Sequence, residues 1–142
     1  MVASVVLGVP TIRGNSDVIE SKPWTSGAPG EPGIIHTDGT IKVSDGKTPT
    51  GIVGKTTFGT TEFIRCGMGV PIRIASNLSP AIGGIVYITT ATGVIVVAGG
   101  GGIEALNATF ASTITRATDP DTGLLIAAET TDAVLIDFPG GL

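Results

Sequence analysis

Glycine and proline decide most of what this chain can become. Twenty-two glycines and nine prolines punctuate runs rich in Thr, Val and Ile, a pattern that favours short strands and turns over helices. Thr40-Ile41-Lys42-Val43-Ser44 lies between Asp38-Gly39 and Asp45-Gly46, dipeptides that accept positive φ, so it reads as a short strand between two tight turns. Val70, Ile72 and Ile74 share one face of a second strand, and Pro71, which removes a ladder donor, predicts that this strand lies at a sheet edge. Leu106, Ala108, Phe110 and Ile114 face one way and Asn107, Thr109, Thr113 and Thr115 the other, the pattern of a half-buried antiparallel strand.

Continuous apolar runs over 84–88, 94–97 and 133–136 read as strands buried in a core or at an interface. Thr90-Ala91-Thr92-Gly93 is the expected turn between the first two, and Gly99 to Gly102 a flexible linker across a sharp change of direction. Residues 14–49 differ: they hold Pro23, Pro29, Pro32, Pro49 and the only tryptophan, Trp24, with few large aliphatics. A structureless stretch of that length is unusual inside a compact domain. The expected fold is therefore all-β: residues 1–50 form an N-terminal strand and an extended Pro/Gly-rich arm or long loop, and residues 51–142 a compact β-sandwich or barrel.

Only 14% of residues are charged while 42% are hydrophobic, and mean hydropathy is +0.45. One small domain leaves much of its chain at the surface, so this composition predicts cover from further copies or a partner. The net charge of −4 argues against binding phosphate backbones, so no nucleic-acid partner is expected. The charge is also lopsided. Seven of the eight basic residues lie between Arg13 and Arg73; beyond it only Arg116 faces Glu104, Asp119, Asp121, Glu129, Asp132 and Asp137, so the two parts are expected to meet different surroundings. The apolar start lacks a basic leading region and is interrupted at Pro10, so it reads as a strand rather than a signal for export. No apolar run approaches the length that crosses a bilayer, and no membrane partner is expected.

The chemical motifs fail on spacing. Gly46-Lys47-Thr48 and Gly54-Lys55-Thr56 end like phosphate loops, but the leading glycine would have to stand at Ile41 or Pro49. Gly67-Met68-Gly69 meets Ile72 where a dinucleotide fingerprint needs its third glycine. His36 is the single histidine and Cys66 the single cysteine, which excludes an internal disulfide and a multi-thiolate zinc site. His36 beside Asp38 reads as a polar residue near a turn, and Cys66 as a small buried apolar one. Asp119 and Asp121 are spaced like the start of a calcium loop, but Gly123 and Thr130 occupy two later ligand positions, so the segment reads as a turn. No catalytic, cofactor-binding or metal-binding residue, and no cofactor, is expected.

Gly27-Ala28-Pro29-Gly30-Glu31-Pro32-Gly33 has two triplets of collagen type, too few for a triple helix. Pro29 and Pro32 predict a stiff extended backbone beside the apolar face of Trp24, suited to lying across a neighbour. Trp24, Pro29, Glu31, Pro32 and Ile34 are the expected partner contacts.

From Gly51 to Phe138 the chain resembles the capsid cement, or head decoration, proteins of tailed bacteriophages. The likeness rests on Ala81-Ile82-Gly83-Gly84-Ile85-Val86-Tyr87 before a Thr/Ala/Gly hairpin and an aliphatic strand, then on the runs 123–128 and 133–137. The resemblance implies a non-enzymatic structural virion protein, made in the host cytoplasm and placed on the capsid exterior. There it would bind the major capsid protein as a homo-oligomer, a trimer favoured, and reinforce contacts between capsid subunits. Multivalent attachment to a repeating lattice suits such an oligomer. A carbohydrate- or receptor-binding module of a phage fibre is the alternative, opposed by an aromatic content of 4%.

The turn reading of residues 119–123 predicts that the melting temperature stays put in EDTA. A large fall that calcium restores would make Asp119 and Asp121 ligands.

Overall fold

A computed structural model describes residues 5–12, 14, 17–35, 39, 41–43, 46–126 and 131–142. They form nine strands and no helix: β1 (Val18–Pro23), β2 (Pro32–Ile35), β3 (Ile41–Val43), β4 (Gly51–Thr57), β5 (Thr60–Ala75), β6 (Ile85–Thr89), β7 (Val94–Val96), β8 (Ile103–Phe110) and β9 (Thr131–Phe138). Hydrogen bonding orders them β3-β2-β4-β5-β9-β8-β6-β7, with β1 also on β5 and every ladder antiparallel. The far strand β7 returns against β5, so the sheet curls into a nearly closed barrel. The expected all-β compact fold is what the chain adopts.

The long strand β5 makes this curl possible. Its first half pairs with β1 and β4, its second half with β9, and the register slips between Gly67 and Val70. A strand shared by two differently directed ladders must bend, and a bulge supplies the bend. Gly69 takes φ +58° there, and a Cβ on it would collide with the Thr11 hydroxyl. Its N–H donates to Asp137 Oδ1 (2.7 Å), and its carbonyl accepts from the Thr11 N–H (3.0 Å) and hydroxyl (2.8 Å). The Gly-Met-Gly motif that fails as a nucleotide loop is therefore the corner of the sheet.

Alternation beyond the corner builds the main core. Val70, Ile72 and Ile74 of β5 meet Val134, Ile136 and Phe138 of β9, Leu106, Ala108 and Phe110 of β8, Val86 and Ile88 of β6 and Ile95 of β7, all buried. Each fully buried aliphatic side chain here contributes about 1.5–3 kcal/mol. The face read from the sequence of β8 is correct, although the strand ends at Phe110 and Ile114 packs from the following loop.

Pro71 lies, as read, where β5 has a ladder on one side only: residues 70–75 pair with β9, and the β1 and β4 ladders end before them. It pairs with Leu135, whose own carbonyl and N–H turn away from β5 toward Ala111 and Ser112, so this is a non-hydrogen-bonded position needing no donor from Pro71. On the opposite side the Gly8 N–H donates to the Pro71 carbonyl (3.0 Å). The chain itself buries one face of β6 and β7: Ile85 and Val94 are about half exposed, because only the Val86, Ile88 and Ile95 side meets the core. The turn over residues 90–93 forms as read, with the Gly93 N–H on the Thr89 carbonyl (2.8 Å). Since β7 and β8 both run antiparallel to β6, the glycine linker between them must cross back along β6, and Gly99 lies against the Tyr87 ring.

The described residues of the expected arm include three strands of the same sheet. β1 lies along β5, β2 along β4, and β3, the short strand read between Gly39 and Gly46, along β2. Residues on both sides of position 50 thus share one sheet.

The corner gives a test by denaturant unfolding. Gly69→Ala is expected to destabilise the protein by about 2–3 kcal/mol, through positive φ and collision with Thr11. Gly102→Ala, at φ +71° with open space around it, should cost only about 1 kcal/mol.

Candidate functional site

The predicted contact segment begins where β1 ends, at the tip of the β4–β5 hairpin. The Trp24 N–H donates to the Gly59 carbonyl (2.8 Å), and the indole Nε1 donates to the Gly27 carbonyl (2.9 Å). The chain then reverses instead of extending. Gly27 and Gly30 take φ +115° and +87°, the Glu31 N–H donates to the Ala28 carbonyl (3.0 Å), and the Glu31 carboxylate accepts from the Ala28 N–H (2.6 Å). Positive-φ glycines on either side of Pro29 override the polyproline preference, and the expected stiff arm is a tight, self-capped turn.

That turn splices the two parts of the sheet. The Gly30 N–H donates to the Val53 carbonyl of β4 (2.7 Å), and the Gly30 carbonyl accepts from the Arg73 N–H of β5 (3.0 Å). The Val53 N–H donates to the Glu31 carbonyl (2.9 Å). Arg73 clamps the splice, its Nε donating to the Pro29 carbonyl (2.7 Å) and Nη2 to Asp119 Oδ2 (3.1 Å). A Cβ on Gly30 would stand 2.9 Å from Leu7 Cδ2, so the N-terminal segment closes the same seam from the other side.

Of the five predicted contacts, Pro29, Pro32 and Ile34 are buried within the chain, while Trp24 and Glu31 are half-buried. The structure brings Pro29, Glu31 and Pro32 together around Arg73 and leaves Trp24 beside the hairpin tip. His36 and Asp38 lie outside the described residues. Cys66 is a free, half-buried thiol. Asp119 accepts from the Asp121 N–H (2.8 Å), and Asp121 accepts from the Thr56 N–H (2.9 Å) and hydroxyl. Both carboxylates thus serve a turn and its attachment to β4. Among the described residues no three His, Cys, Asp or Glu side chains gather as a metal site. Glu20 faces Lys22 Nζ (3.3 Å) and Arg65 Nη1 (3.6 Å) on an exposed part of β1 and β5, where such pairs contribute little.

Sequence reasoning missed the most exposed aromatic. Phe58 and Gly59 form the two-residue loop between Thr57 and Thr60, with φ +47° and +80°, as a type I′ turn requires. Phe58 is fully exposed, and among the described residues it is the one non-glycine at positive φ. The available signal was Phe-Gly between threonine-rich strands, where Asn-Gly is the ordinary choice. Ile82, Ile12 and Leu124 add further exposed apolar side chains.

No family model matches this chain, and no curated protein matches its sequence.

The clamp is testable by thermal unfolding. Arg73→Ala is expected to cost about 2–3 kcal/mol, since it leaves the Pro29 carbonyl and Asp119 without their cationic donor. Arg73→Lys should recover only part, because an ammonium cannot reproduce the two-directional guanidinium bonding.

Proposed function

We propose that this chain is a structural protein of a virion, one that binds the outside of a phage head and reinforces contacts between capsid subunits. The observation that carries the reading is the number of large apolar side chains at the surface: Phe58, Ile82, Ile85, Val94 and Leu124 are exposed on a charge-poor chain, and exposed apolar surface marks protein contacts. The resemblance of residues 51–138 to head decoration proteins supports the same role. Its partner is the major capsid protein, the chain acts as a homo-oligomer with a trimer favoured, and its work requires no catalysis. Made in the host cytoplasm, it acts on the capsid exterior. Trp24 and Glu31 stay accessible for the contact, whereas Pro29, Pro32 and Ile34 support it from behind.

One observation favours the alternative of a carbohydrate- or receptor-binding module from a phage fibre. The Trp24 backbone N–H is hydrogen-bonded to Gly59, the residue after the exposed Phe58, which brings two aromatic residues to one hairpin tip, and aromatic faces are what sugar rings stack on.

Co-sedimentation of the purified chain with heads lacking it separates the two. The capsid role expects saturable binding, at a copy number comparable with the capsid protein, and heads that survive greater heat or osmotic shock. Absence of head binding together with specific glycan-array signals lost on Trp24→Ala would replace it with the fibre module.

A further inference from the structure

Phe58 is costly where it stands. Left-handed backbone at a non-glycine residue is strained, and a fully exposed phenyl ring buries nothing in its own chain. Asn would fill the same I′ position without strain and without exposing apolar surface. The tip that carries the ring is nevertheless well held: Thr57 pairs with Thr60, and the Thr60 hydroxyl donates to the Thr57 carbonyl (2.8 Å). A strained residue that makes no contact at home, presented on a firm hairpin, has the character of a docking knob.

The same chain holds a matching hole. Where β6 begins and β7 and β8 end, Ser79, Ala81, Gly84, Ile85, Tyr87, Val97 and Phe110 line an open pocket of about 300 Å³ with no charged side chain in its wall. An enclosed apolar cavity of roughly 150 Å³ already holds a benzene ring, and the partly exposed Ile85 and Tyr87 side chains offer surfaces against which a phenyl ring packs, with the buried Phe110 behind them. Phe58 does not fill this hole in its own molecule. The pocket lies level with Val70, since Phe110 pairs with Ile136 and Ile136 with Val70. The strand from Thr60 to Val70 therefore separates knob from hole by roughly 30 Å of chain.

We propose that Phe58 seats in this pocket of a second copy of the chain, making a head-to-tail self-association contact. Knob and hole occupy different places on the molecule, so the contact is heterologous and propagates until a ring closes. A three-membered ring would satisfy it and agrees with the favoured trimer, but the contact does not depend on any role in a virion.

Light scattering coupled to size exclusion, over a concentration series, tests this with three chains. The wild type is expected to be an oligomer. Phe58→Asn should be a monomer that melts a few degrees higher, because removing the knob also relieves the backbone; its self-association should weaken at least thirtyfold, as for a central aromatic anchor. Ile85→Asp, on a side chain already half exposed, should also be a monomer. Mixed together, Phe58→Asn keeps the hole and Ile85→Asp keeps the knob, so the pair should form a one-to-one dimer and nothing larger. A monomeric wild type, an oligomer that survives Phe58→Asn, or a mixture that stays monomeric would each overturn the proposal. If the wild type is monomeric and Phe58→Asn instead loses binding to heads, the knob belongs to a capsid contact: self-association then fails while the virion reading stands.

Discussion

A strand that serves two ladders has to bend, and the rest of this molecule is organised around where β5 does so. Its first half is committed to β1 and β4 and its second to β9. At the corner the backbone groups cannot all be met by strand neighbours. The Asp137 carboxylate takes the Gly69 N–H, and Thr11 donates twice to the Gly69 carbonyl. A buried carbonyl or N–H without a partner costs about 1–3 kcal/mol, so residues 7–12 are as necessary to the corner as the strands themselves.

The β4–β5 ladder has an irregularity of its own, a register slip between Val53 and Thr56 with paired residues on either side. Two segments pack against it. Gly8 approaches so near that a Cβ on it would stand 2.6 Å from Gly54 Cα, and the Pro29–Glu31 turn exchanges backbone bonds with Val53 and Arg73. This explains why glycine is dense in places that carry no nucleotide chemistry: backbone meets backbone there, with no room for side chains.

Local pattern was enough wherever a strand's partners alternate in the ordinary way. The β8 face could be read from Leu106, Ala108 and Phe110, β3 from its flanking Asp-Gly pairs, and the β6–β7 turn from Thr90 to Gly93. β5 was legible only over its last few residues, because Gly67, Gly69 and Pro71 look like breakers and in fact mark a bend and a non-hydrogen-bonded site. The arm was misread for a related reason. Pro29 and Pro32 favour extension locally, whereas the bonds that fold the segment reach Val53 and Arg73, far along the chain and invisible to periodicity. Among the candidate contacts, Trp24 was singled out for its apolar face, but Phe58, beside the Gly59 that the Trp24 N–H bonds, was signalled only by Phe-Gly standing where Asn-Gly is usual, because its character lies in a backbone angle.

The lopsided charge finds its meaning in these connections. Acidic residues beyond Arg73 were expected to face different surroundings from the basic ones before it. Within the chain, several of the later carboxylates accept hydrogen bonds from its earlier part: Asp119 from Arg73, Asp121 from Thr56, Asp137 from Gly69 and Glu104 from the Thr48 hydroxyl. Three of these four donors are uncharged, so the acidic excess does not need an equal number of bases to be held. Charge-assisted bonds of this kind are about twice as strong as neutral ones. A chain with only 14% charged residues thus uses acceptors from its second half to fasten the corner, the splice and the β4 edge contributed by its first. The surface left over is poor in charge and rich in apolar side chains, which is the condition under which contacts with other protein surfaces become favourable.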